Sequence, residues 1–424
     1  MKETIELTAA QLHPHCDPAR FSFRSTEELP DLSGIIGQKR AIGALEFGMR
    51  VKSTGYNVFV LGPPGTGKAT AVRQFIEADA AKLPPANDWL YVYNFHEPNK
   101  PNAIRLPAGT GVTLRDDLAK LLKELQRSIP AAFESEDYIK ERDKIVAEFK
   151  EEQERMFQQL KAKVEQYSFS IIRLPGGFVL APVVGGKPLT DEQFERLTEE
   201  QKEKVRKLRE HLQTEVDKTL TAMRQRERDT RAAIANLDEK VARFTVEHPI
   251  GELKAKYEGL PEVLEHLDAM TEDLVANVEV FKRNSDSSDG GVATAMQTAA
   301  SEGLLRRYSI NLFVDNSGAE GAPVVQESNP NFANLVGRIE HQAVMGALIT
   351  DFTMVRPGAL HRANGGYLVM DALALLQRPQ AYDALKRALK EKEIRVEEYA
   401  QSLGLISTAV LEPEPIPLDV KVVL

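Results

Sequence analysis

The chain has 424 residues, 42% of them hydrophobic and 28% charged, with a net charge of -9 and an isoelectric point near 5.6. That is enough apolar material for two or three structural units, and the acidic balance argues against a dedicated nucleic-acid binder, which carries a basic face. The single cysteine, Cys16, excludes an internal disulfide; the N-terminus lacks a signal-peptide stretch and no run of about 18 apolar residues occurs, so the expectation is a cytoplasmic protein with no membrane span.

Residues 1–34 read as an irregular lead-in. His13-Pro14-His15-Cys16 places three potential metal ligands together, but Pro14 constrains them and no fourth partner is evident, so no zinc site is assigned. Ala41, Ile42, Leu45 and Met49 then recur at helical spacing within 35–52. Gly55-Tyr56 ends that pattern. Asn57-Val58-Phe59-Val60-Leu61 is a short apolar run, read as a core strand, followed by a Gly/Pro loop and a helix over about 68–82. Strand, glycine loop and helix begin a βαβ unit. Leu90–Phe95 reads as a second strand, and residues 114–129 as an amphipathic helix.

Residues 134–167 are dominated by Glu, Lys, Gln and Arg. Ile139, Val146, Leu160 and Tyr167 share one heptad position, with Phe149 and Met156 on a second. Pro175-Gly176-Gly177 and Gly185-Gly186 break the helix, after which Phe194, Leu197, Val205, Leu208, Leu212, Val216, Leu220 and Met223 resume it. Two long polar helices joined by a compact hairpin read as an antiparallel coiled coil. Its charge runs are solvated faces, and Phe178 and Val179 at the hairpin tip are candidate substrate contacts.

A further helix is expected over 261–282, then a flexible linker over 284–291. Strands are expected at 308–314 and 367–371, and helices at 331–345 and 379–393. The last residues, IPLDVKVVL, read as a buried strand in which the chain stops, as expected of a piece of a longer protein. The domain reading is therefore a lead-in (1–34), an α/β core in two parts (35–130 and 301–424), and a helical insertion between them (131–300) with its tip near 169–190.

Gly62-Pro63-Pro64-Gly65-Thr66-Gly67-Lys68 matches the phosphate-loop pattern G-x-x-x-x-G-K between a predicted strand and a predicted helix. Glycines let successive backbone N–H groups turn toward a phosphate, the helix N-terminus adds its positive end, and the Lys68 ammonium reaches the outer phosphates. The next residue is Ala69 rather than a Ser or Thr whose hydroxyl holds Mg²⁺; Thr70 comes one step later, rotated by about 100°. Tyr367-Leu368-Val369-Met370-Asp371 supplies the acidic strand end, with Asp371 as a Mg²⁺ ligand or as the N-cap of the next helix. Ala372 stands where a water-activating glutamate is expected. The candidate ATP and Mg²⁺ residues are thus Gly62 to Thr70 and Asp371, with Thr70 and Asp371 toward the metal.

Several stretches carry a family resemblance. Ile36-Gly37-Gln38 resembles the segment that packs near the adenine in AAA+ proteins. Asp88–Phe95, Leu106-Pro107-Ala108-Gly109, Asn329–His341 and Gly358–Tyr367 are similar to Lon-like ATP-dependent proteases with a large helical insertion. The resemblance implies a P-loop NTPase fold of AAA+ type: a parallel sheet with helices on both faces, interrupted by the coiled-coil insertion. It also implies a homo-oligomeric ring, six subunits being the expectation, that unfolds proteins and feeds them to a Ser–Lys peptidase domain beyond Leu424. No catalytic residue of that peptidase is expected in this chain. Arg338 and Arg362 are equal candidates for a finger reaching a neighbour's nucleotide. Two other readings stand beside this one. Ala69 and Ala372 fit a nucleotide-binding scaffold that gates an ATP-independent, LonC-like protease. A P-loop ATPase acting on DNA or transcription is the other, weighed down by the acidic balance.

Overall fold

The computed structural model describes residues 7–13, 15–30, 39–51, 55–63, 65, 67–174, 177–184, 187–189, 198–283, 303–344, 347–397 and 411–424. Ile36, Gly37, Gln38 and the linker expected at 284–291 lie outside these residues, as do Pro14, Pro64 and Thr66. In chain order the elements used below are α1 (Lys39–Arg50), α2 (Lys68–Ala80), β1 (Asp88–Val92), β2 (Asn102–Leu106), α3 (Thr110–Phe133), α4 (Glu136–Gln166), β3 (Phe169–Leu174), β4 (Gly177–Val184) and α5 (Glu199–Lys256). They continue with α6 (Pro261–Ala276), β5 (Ile310–Val314), β6 (Val324–Glu327), α7 (Phe332–Val336), α8 (Ala359–Arg362), β7 (Gly366–Met370), α9 (Ala372–Leu376), α10 (Pro379–Glu391) and β8 (Val420–Val423).

A parallel sheet forms in the order β8-β7-β6. The segment 57–61 joins it beside β8: Val58 N–H donates to Val422 O at 3.0 Å, and Val60 N–H to Leu424 O at 2.8 Å. Alternation along β7 sends Tyr367 and Val369 to one face and Leu368 and Met370 to the other. The first face packs on α1 and α2 through Leu45, Met49, Val72 and Ile76. The second packs on α7, α8 and α10 through Leu335, Leu360 and Leu385. Helices therefore cover both faces, as the fold class requires. The run 57–61 is only half a core strand: Val58 and Val60 face inward, while Phe59 and Leu61 are exposed.

The strand read at Leu90–Phe95 belongs elsewhere. β1 pairs antiparallel with β2 and with β5 in a separate three-stranded sheet. Its five residues are all buried, because one face meets the helices α3, α5 and α6 while Trp89 and Tyr91 meet Phe313, Phe352 and Val355. Helix α3, at whose end the expected 130/131 boundary falls, buries Leu114, Leu118, Leu121, Leu125 and Ile129 in that helical core.

α4 and α5 run antiparallel. Tyr138 bonds Asp238 at 2.7 Å, Glu152 meets Arg226 at 3.0 Å, and Lys163 pairs with Glu215, so numbers rise on one helix as they fall on the other. α5 has 58 residues, a length of about 87 Å. Leu160, Val164, Leu212 and Val216 pack with Phe169 and Leu180 at the hairpin end. The predicted seam residues Ile139 and Tyr167 are exposed. Phe178 and Val179 lie on β4 opposite Arg173 and Ile172, and residues 175–176 and 185–186 lie outside the described residues.

The helix expected at 331–345 is mostly not helical. α7 stops at Val336, Gly337 follows with φ 89°, and residues 338–339 and 342–344 are extended. The apolar spacing Phe332-Leu335-Val336 suits one turn, and the glycine then redirects the chain. Among the described residues no helix is long and apolar enough to cross a membrane.

Candidate functional site

Ligands of open parallel sheets bind beyond the carboxyl ends of the strands. At that edge the segment 57–61 enters the loop Gly62–Gly67, and α2 begins at Lys68. Gly65 and Gly67 have φ of 77° and 73°, a left-handed backbone that a side chain would strain. This turn carries the chain from strand to helix within six residues and directs the first N–H groups of α2 at the edge. The Lys68 ammonium donates to the Gly62 carbonyl, closing the loop on itself. An incoming phosphate would take that ammonium from a neutral carbonyl and give it an anion, a stronger partner.

An open cleft of about 580 Å³ lies beside the loop, lined by Ala41, Ile42, Leu45, Phe59, Lys68 and Ala71 among others. Its apolar wall from α1 next to the phosphate loop suits the flat face of a nucleotide base. Ile36 and Gly37 precede α1 and are outside the described residues.

Asp371 directly follows β7, two strands from the phosphate loop in the order 57–61, β8, β7. Its Oδ1 accepts the Ala374 N–H at 2.8 Å and so caps α9. Asp371 Oδ2 has no protein partner among the described residues. Tyr367, on the same strand, donates its hydroxyl to Asp79 on α2 at 2.9 Å, tying the acidic strand to the phosphate-loop helix. Ala69 offers only a methyl group. Thr70 is exposed, on the face of α2 that carries Arg73, Gln74 and Glu77, all exposed.

No group of three or more His, Cys, Asp or Glu side chains among the described residues could hold a metal alone. Mg²⁺ is usually held by one or two carboxylates together with nucleotide phosphates and water. A single free oxygen on Asp371 fits that mode and not a metal site independent of nucleotide.

Both arginines considered as fingers have partners in their own chain. Arg338 meets Glu340 at 2.9 Å, and Glu340 also meets Arg356 at 2.8 Å; together the two guanidinium groups hold the Glu340 carboxyl below its ordinary range. Arg362 lies 3.5 Å from Glu327. Two groups missed in the sequence also lie at this edge. Glu327 ends β6, and Arg378 bridges Asn329 Oδ1 at 2.6 Å to the Ala374 carbonyl at 2.9 Å. Nothing in their local sequence marks them; pairing of distant strands brings them there.

His361, one residue before Arg362, is buried in an edge-to-face contact with Phe313, and its Nε2 has no partner among the described residues. Burial lowers its pKa to about 3, and lowers that of His266, stacked on Phe95, to about 4. Both folded values lie below the unfolded value of about 6.5. The unfolded chain therefore takes up protons first as pH falls, and stability declines from about pH 6.5 toward the folded values of about 4 and 3; the window from about 6.5 to 4.5 is the part least overlapped by carboxylate titration. Chemical unfolding at both ends of that window should show a loss on the order of 2 kcal/mol per histidine. A flat profile would contradict the buried neutral histidines.

Comparison with known families matches two segments. Residues 320–424 match the LonB-like AAA domain, and residues 88–121 match the Lon-like LonC helical domain. The first span holds β6, β7, Asp371 and β8; the second holds β1, β2 and the start of α3. The phosphate loop lies between α1 and α2, outside both. No curated protein matches the chain.

Proposed function

The chain belongs to the Lon-like AAA+ family, and from that premise we propose that it is the ATP-binding and ATP-hydrolysing module of a Lon-like ATP-dependent serine protease, cytoplasmic and assembled as a ring of like subunits. In this reading it unfolds protein substrates and passes them to a Ser–Lys peptidase domain. One observation supports it most. The segment 57–61, bonded beside β8 in the parallel sheet, leads through left-handed glycines into a helix beginning at Lys68, at the same edge where β7 runs into Asp371.

The chemistry follows from this chain's residues. The loop amides and Lys68 bind and orient the phosphates. The apolar wall of α1 seats the base. Asp371 offers an oxygen to the Mg²⁺ that accompanies ATP, whose contribution is to offset charge on the outer phosphates. The Tyr367–Asp79 hydrogen bond links any shift of the acidic strand to α2.

Degradation of an unfolded protein by the natural gene product, with and without ATP, tests the proposal. Degradation only with ATP is the expected result. Equal degradation without ATP would favour the second reading, a nucleotide-binding scaffold and gate, for which Ala69 and Ala372 speak.

A further inference from the structure

The residue after Asp371 is Ala372, so the acidic strand brings no second carboxylate of its own. The neighbouring strand does. β6 lies parallel to β7 in a register that sets Glu327 level with Met370. Glu327 is the last residue of its strand and stands one strand spacing, about 4.8 Å, from the acidic strand, at the edge that also carries the phosphate loop. Its side chain is only 11% exposed. Oε1 accepts the Asn329 N–H at 2.8 Å, and Oε2 lies 3.5 Å from Arg362. That ion pair, long and made with a half-exposed arginine, contributes little stability. What it does is hold a carboxylate at the ligand edge of the sheet.

We propose that Glu327 supplies the carboxylate that position 372 lacks, orienting the attacking water and taking its proton during hydrolysis of ATP. This rests on the ATPase reading above. The water oxygen bonds to the γ-phosphorus as the bond from that phosphorus to the β–γ bridging oxygen breaks. The electron pair leaves on that oxygen, now part of ADP. The water proton passes to the Glu327 carboxylate and from there to solvent, leaving ADP and inorganic phosphate. Three strand spacings, about 14 Å, separate β6 from the segment before the phosphate loop. The outer phosphates held by the loop, the attacking water and the extended glutamate side chain would together bridge that distance.

The test uses the whole chain, parent against Glu327→Gln. A fluorescent ATP analogue reads binding, and phosphate release reads turnover as a function of pH. The glutamine variant is expected to bind the analogue as the parent does, to lose about 100-fold in turnover and to lose the acid limb of the pH–rate profile. Adding Ala372→Glu to it should restore about tenfold. If the glutamine variant folds poorly, Glu327→Asp keeps the charge but draws the carboxylate back, and a similar loss is expected. Turnover unchanged in the substituted chain overturns the proposal. A parent that binds the analogue and releases no phosphate overturns it too, while the nucleotide-binding reading stands. A parent that fails to bind the analogue overturns both.

Discussion

Lys68→Ala should weaken binding of a fluorescent ATP analogue by an order of magnitude or more. Lys68 is the first residue of α2, and its ammonium reaches back to the Gly62 carbonyl across the loop. In that position it adds a full charge to the partial charge of the helix N-terminus, and both face the same anion. Alanine keeps the helix and the glycine turns but removes the mobile cation. It also releases the Gly62 carbonyl, so the empty loop loses its internal closure. Equilibrium titration of parent and variant, with melting temperatures as a folding control, reads the effect directly. Equal affinity would remove the nucleotide assignment at this loop.

Gly358→Ala should be among the most destabilising single substitutions in the chain, costing about 3 kcal/mol or more. Gly358 is extended, with φ -90°, so any residue tolerates its backbone; the difficulty is space. A methyl group there would sit 2.2 Å from the Leu335 carbonyl oxygen and 2.4 Å from the Gly337 nitrogen. Both are main-chain atoms and cannot rotate away. Gly337 answers it from the other side, with φ 89° and a methyl position 2.5 Å from the Arg356 carbonyl oxygen. The two stretches Asn329–His341 and Gly358–Tyr367 thus meet backbone to backbone at these glycines. α8 and β7 follow at once, so displacement there would reach Glu327 and Asp371. Thermal unfolding of the variant checks this; a melting temperature equal to the parent's would contradict the packing.

The site and fold divide by the range of the forces that made them. The phosphate loop was legible because its chemistry is local: Gly65 and Gly67 take backbone angles open to glycine, and Lys68 starts the helix that follows. The acidic strand was legible because the unbroken apolar run Tyr367–Met370 matches a strand covered on both faces. The helices at 68–80, 379–391 and 136–166 followed from periodicity, as did the 199–256 helix as far as Met223, since helical hydrogen bonds are made within the segment.

What the sequence determined by itself was therefore each segment whose bonds close within a few residues. Strand partnership was decided by the tertiary structure. The apolar run at 89–92 looks the same in either kind of sheet, and only its pairing with Asn102–Leu106 and Ile310–Val314 made it antiparallel. Residues 338–344 left the helical path because Gly337 turns the chain against the Arg356 and Gly358 backbone, a contact about 20 residues away that no local pattern records. Glu327 is the clearest case. As a residue it is one glutamate among many, and its place beside the acidic strand exists only because β6 pairs in parallel with β7 across an intervening stretch, with hydrogen bonds that form after the chain has folded back on itself.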